Sequence, residues 1–182
     1  MRIIGIDSDS KGSIALLDTT AKTVVVWSIP ATKKTLSDGG KRTIIAHAKL
    51  ALIMAEAFTG GVDQAFIEEQ WSRNNQSSTS TFTFGAVYGA IQQAVASADP
   101  DLDVKLIHST TWKAAMRISA DKDEAVALAC KLVPNGNTVW RAKVSAAEAL
   151  LIAVCGAIQL RAIPSATTLA AYTLTTPVKA VH

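Results

Sequence analysis

The chain has 182 residues, 49% of them apolar, and a formal charge of +3 at pH 7. That is enough apolar mass for one sizeable core, and too little charge for a disordered or strongly polycationic protein. No secretory signal pattern opens it, and its longest apolar run, residues 146–160, contains Glu148 and is too short to cross a bilayer; a cytoplasmic location and no membrane partner are expected. Cys130 and Cys155 lack metal-ligand spacing and read as reduced thiols in apolar helices.

Taken in order, Ile3, Ile4 and Ile6 make a short buried strand that ends at Asp7 and runs into a polar turn of Ser8, Asp9, Ser10 and Gly12. A carboxylate at a strand end needs a cation or a set of donors, unless it only caps the turn. Residues 13–18 and 23–29 complete an antiparallel meander. Residues 31–42 read as a mobile, lysine-rich loop, and Thr43 as the cap of a helix that runs to Phe58 and stops at Gly60-Gly61.

Residues 62–71 form an apolar strand that ends in acid at Glu68. After a helical crossover it should lie parallel to the first strand, with Glu68 beside Asp7 at the edge where α/β sheets bind ligands. A polar stretch with one basic residue, Arg73, leads into a helix over 81–98. Its stripe of Gly85, Ala86, Gly89 and Ala90 suits close packing, inside the chain or against a second copy. A strand over 102–107, a structural His108, a Ser- or Thr-capped short helix and a helix from the capping box at Ser119 follow. The last helix, 143–158, is apolar but holds Glu148, with Ser145 three residues earlier on the same face. Glu148 is either a ligand or an exposed acid favoured by the helix dipole.

This order of elements, with acids at Asp7, Glu68 and Glu148, is that of an α/β ribonuclease H-like mixed sheet, three antiparallel strands and then parallel ones, flanked by helices. Four motifs carry a closer resemblance: Ile4-Gly5-Ile6-Asp7 with Gly12; Phe66-Ile67-Glu68-Glu69-Gln70-Trp71 with Phe84 to Gly89; Trp112-Lys113 with Lys122-Asp123-Glu124; and Ser145 to Ala153 around Glu148. Over residues 1–160 they resemble the RuvC-type Holliday junction resolvases, bacteriophage-type members included. Residues 161–182 are expected to be an extension, not a separate domain.

The resemblance implies a DNA endonuclease that resolves four-way junctions as a homodimer, leaving 5′ phosphates and 3′ hydroxyls, in a bacterial cell or encoded by a phage. It implies Asp7, Glu68 and Glu148 as ligands of magnesium or manganese, two ions per site, with Lys113 and Lys122 as functional lysines, although the interval between those two is shorter here. It places Trp71 where the family stacks an aromatic ring on a base, with Lys11 and Arg73 expected against the DNA. Ser145 departs from the pattern, for the family has an acid or a histidine at that point. Two other readings stay open: a junction-binding protein weakened in cutting by Ser145, and another ribonuclease H-like nuclease for flaps or hybrids. Actin-like and sugar-kinase folds also open on an acidic strand and a glycine turn, but pair two such domains.

Overall fold

A computed structural model describes residues 1–35, 37, 39–71, 77–165 and 171–175. Strands β1 (Arg2–Asp7), β2 (Ser13–Asp18) and β3 (Thr23–Ser28) form the expected antiparallel meander, with Asp7 opposite Ser13. The lysine-rich stretch that follows is not a loop. It is a hairpin of its own, β4 (Ala31–Thr35) paired antiparallel with β5 (Lys41–Ile45) and apart from the main sheet. Thr43 therefore lies in a strand, where β-branched Thr43, Ile44 and Ile45 are at home, and helix α1 (His47–Phe58) starts later, without a side-chain cap.

After α1 the chain crosses to β6 (Gln64–Glu68), which pairs parallel to β1 with Ile67 opposite Ile6. Helix α2 (Ser78–Ala98) begins earlier than its apolar periodicity suggests, because the Ser77 side chain accepts a hydrogen bond from the Ser80 amide. Strand β7 (Val104–Ile107) then extends the parallel set, Ile107 opposite Glu68. Helix α3 (Ser109–Met116) is capped by the His108 ring, which accepts from the Thr110 amide, and not by Ser or Thr. Helices α4 (Lys122–Leu132), α5 (Asn137–Ala142) and α6 (Val144–Gln159) follow, and β8 (Thr173–Thr175) in the C-terminal extension pairs parallel with β3. The sheet order is β7-β6-β1-β2-β3-β8.

Two apolar layers cover the sheet, α1 and α2 on one face and α3 to α6 on the other. Helix α6 is buried without a break from Ala149 to Ala157. It crosses β1 at Gly5, where any Cβ would strike the Ala149 carbonyl oxygen and the Ala153 amide nitrogen. That contact fixes the helix register over the strand and brings Glu148, one residue before Ala149, above the end of β1. By contrast, among the described residues nothing lies within 4 Å of a Cβ built at Gly85 or Gly89, so none of them packs on the small-residue stripe of α2 at those positions. Among the described residues, no helix is long and apolar enough to cross a membrane.

Candidate active site

Where β1 and β6 end side by side, a cleft of about 790 Å³ opens between the turn after β1 and the start of α6. Asp7 and Glu68 stand there because each is the residue that follows the paired Ile6 and Ile67 on two parallel strands, and Glu148 reaches in from α6. Ser8 ties the two strand ends together by donating to the Glu68 carbonyl at 2.6 Å. Asp7 is only 6% exposed.

Burial and the neighbouring acids disturb two of these carboxylates. Burial above all, then Glu68, Glu148 and Asp9, holds the Asp7 carboxyl well above its ordinary range, against a weaker opposing hydrogen bond from the backbone at Asp9. Burial first and Glu148 second also raise Glu68, opposed by the indole N–H of Trp112, then Lys113 and His108. That indole N–H is buried and near Glu68 without a well-formed hydrogen bond of its own.

Lysines line the same cleft. Lys113 Nζ lies 3.5 Å from Glu148 Oε1 and 5.2 Å from the Trp112 ring centre, a ring that is itself fully buried. Lys143 Nζ donates to the Gly12 carbonyl at 3.1 Å; burial lowers the pKa of its ammonium, and the neighbouring Asp7 opposes that shift. In all, five carboxylates (Asp7, Asp9, Glu68, Glu69, Glu148) face four lysines (Lys11, Lys113, Lys122, Lys143). Ser145 lines the cleft too, but its hydroxyl is engaged: it donates to the Lys11 carbonyl at 2.9 Å and shares a 3.0 Å hydrogen bond with Ser13. Trp71 stands at the mouth, 68% exposed, so its ring is not folded into the core.

Scanned against protein-family models and against curated proteins, the sequence matches none. Solved structures do match. Thermus thermophilus RuvC in complex with a Holliday junction substrate superimposes with a TM-score of 0.53 at 14% identity, covering 89% of this chain and 96% of that one. A second Thermus thermophilus RuvC structure gives 0.51 at 17% identity with the same coverage. The chain has the ribonuclease H-like fold of RuvC. At such identity the likeness to RuvC is one of fold, and the chemistry rests on this chain's own residues.

On that RuvC fold the cleft gathers Asp7, Glu68, Glu148, Ser145, Lys113, Lys122, Lys11 and Trp71. Arg73 lies outside the described residues. Lys143 also lines it without having been expected there, as do Asp9 of the turn and Glu69 and Phe84 of the second motif, none of which was expected as a site residue. Lys143 was legible only as the residue just before the helix that carries Glu148, off its helical period and so indistinguishable from a solvated lysine. Among the described residues, no three His, Cys, Asp or Glu side chains stand in metal-ligating geometry, and Glu148 is engaged by Lys113.

The donor set nevertheless fits a hard divalent cation. Three carboxylates that converge in one cleft, two of them with proton affinity raised by burial and by their acidic neighbours, and with no thiolate among them, suit magnesium or manganese better than zinc. Two carboxylates about 4 Å apart repel by about 4 kcal/mol at an effective dielectric near 20, a cost that a cation removes. An ion held by Asp7, Glu68 and Glu148 would compete with Lys113 for Glu148.

Proposed function

We propose that the chain is a metal-dependent endonuclease of four-way DNA junctions, with Asp7, Glu68 and Glu148 as ligands of magnesium or manganese and a twofold dimer as the cutting unit. The observation that carries this reading is the convergence of Asp7, Glu68 and Glu148 at the ends of β1 and β6 under α6, in a cleft rimmed by lysines and an exposed tryptophan. When bound, the cation would supply Lewis-acid polarisation of the scissile phosphate and a more acidic water; attack of that water on phosphorus with breakage of the P–O3′ bond, the 3′ oxygen leaving and taking up a proton, would give 5′ phosphate and 3′ hydroxyl ends. The protein groups supply the rest. The buried Asp7 and the half-buried Glu68 present their carboxylates at adjacent strand ends, and Ser8 ties the two ends together.

Lys113, Lys122 and Lys143 line the same cleft as the carboxylates, and their ammonium groups would stabilise the negative charge that accumulates as a phosphodiester is attacked. Trp71 offers a bare ring face beside Glu68, suited to stacking on a base freed at a branch point. Lys11, Lys122 and Arg73 serve the flanking phosphates. A junction has two equivalent strands to cut, and a twofold pair of sites cuts both. A cytoplasmic location, in a bacterial cell or for a phage-encoded protein, belongs to the same proposal.

Ser145 favours a second reading, a junction binder with weakened cutting, because its hydroxyl is held by Lys11 and Ser13 where a fourth acid would add charge. Labelled junction, flap and RNA–DNA hybrid substrates, each with magnesium or manganese, separate these readings. Paired symmetric cuts in the junction alone support the proposal. Junction binding without cuts favours the second reading, and preferential cutting of flap or hybrid contradicts both.

A further inference from the structure

We infer that the β4–β5 hairpin is a separate DNA-binding surface that grips the phosphate backbone of a duplex arm next to the cleft. This rests on the function proposed above and adds to it a surface outside the active site. The hairpin carries four cations, Lys33, Lys34, Lys41 and Arg42, and every residue of β4 is exposed. Register puts Lys34 directly opposite Arg42. Like charges facing each other across a strand pair are destabilising, and among the described residues none of the four forms an ion pair with an acid. A two-stranded hairpin is marginal to begin with. Such an arrangement is unfavourable in the free protein and becomes favourable against a polyanion.

Its position says which polyanion. The base of the hairpin is closed by the Ala46 amide donating to the Pro30 carbonyl at 2.7 Å, and the neighbouring Ile29 amide donates at 3.0 Å to the Gly12 carbonyl. That same carbonyl accepts from Lys143 inside the cleft. Further out, the Arg42 guanidinium lies 4.9 Å from the ring centre of Phe82 on α2, and two residues on, Phe84 lines the cleft. Arg42 thus docks the hairpin, leaving Lys33, Lys34 and Lys41 free for phosphates. Five paired residues at about 3.3 Å each reach roughly 16 Å, or about five base pairs of an arm at about 3.4 Å per pair.

The test uses the full chain with EDTA, so that no cutting occurs, and follows fluorescence anisotropy of a labelled four-way junction and of a linear duplex across a range of NaCl. The triple variant Lys33→Gln, Lys34→Gln, Lys41→Gln should bind both at least about tenfold more weakly. Its slope of log affinity against log salt should be shallower by about 2 to 3, near 0.9 per lost phosphate contact. Shortening the junction arms below about five base pairs should weaken the wild type and leave the variant unaffected. The matching triple Lys→Arg variant should retain wild-type binding, which guards against a folding defect. A triple Gln variant with wild-type affinity and salt slope overturns the inference, and the lysines then only shield open strand edges from aggregation. If that variant matches the wild type while the wild type binds and cuts junctions, only this inference falls; if the wild type binds neither DNA, the proposed function falls with it.

Discussion

Replacing Ser145 by aspartate probes how many acids the cleft can hold. The Ser145 hydroxyl donates to the Lys11 carbonyl at 2.9 Å and shares a 3.0 Å bond with Ser13. A carboxylate can accept from Ser13 but cannot donate to Lys11, so one acceptor is left facing another. Leaving a part-buried group unsatisfied costs about 1–3 kcal/mol. In a chain of this size 1 kcal/mol moves Tm by about 2–4 °C, so the metal-free variant should melt about 2–12 °C lower. Manganese should then reverse part of the loss. If the added carboxylate tightens binding of the ion tenfold, it contributes about 1.4 kcal/mol more than in the wild type, about 3–6 °C of extra rise. Calorimetric melts with and without manganese read both effects, and cutting at low manganese should increase. Ser145→Ala is the control: it loses the same bond to the Lys11 carbonyl and should melt lower by a similar amount, but with no extra response to metal. An aspartate variant that melts and responds to manganese as the wild type does would refute the reasoning, since Ser145 would then neither hold the turn nor face the cleft.

Further outcomes follow from the same geometry. Because folding raises the pKa of Asp7 and Glu68, the metal-free native state binds protons more tightly than the unfolded chain; its stability should fall as pH rises from the ordinary carboxylate range, about 4, through the raised values. Asp7→Asn should flatten that fall and raise the metal-free Tm at neutral pH; an unchanged pH dependence of melting would show that Asp7 does not titrate as described. Trp71→Ala, at a ring 68% exposed, should leave Tm nearly unchanged and weaken junction distortion by about 1–3 kcal/mol, with equal losses on junction and plain duplex counting against stacking at the crossover. Lys143→Met should slow junction cutting by about 10²–10³-fold while junction affinity stays within about tenfold, and wild-type cutting would remove Lys143 from the chemistry.

The fold could be read because its central strands are written in unbroken β-branched and apolar runs that end in acid. Ile3 to Ile6 and Ala65 to Ile67 are buried on both faces, so composition alone marks them as central, and the crossover rule then puts Asp7 beside Glu68. Glu148 was visible as an acid in a helix otherwise apolar throughout. The hairpin was not legible, because every residue of β4 is exposed and an exposed ribbon carries no alternation of apolar and polar positions. Nor was the start of α1, since Thr43 suits a helix cap and a strand equally and only pairing with Lys33 decides. The engagement of Ser145 by Lys11 and Ser13, and of Lys143 by Gly12, spans more than 130 positions. Such contacts depend on where α6 lands on the sheet, and local sequence does not encode them.

The central claim is that Asp7, Glu68 and Glu148 hold the cation that cuts a four-way junction. The most direct measurement compares the wild type, Asp7→Asn and Glu68→Gln on one labelled junction, reading binding in EDTA and cutting in magnesium or manganese side by side. The wild type should make paired symmetric cuts only when metal is present, and neither variant should cut while both still bind the junction within about tenfold. Cutting by the wild type in EDTA, or wild-type cutting by either variant, would contradict that claim.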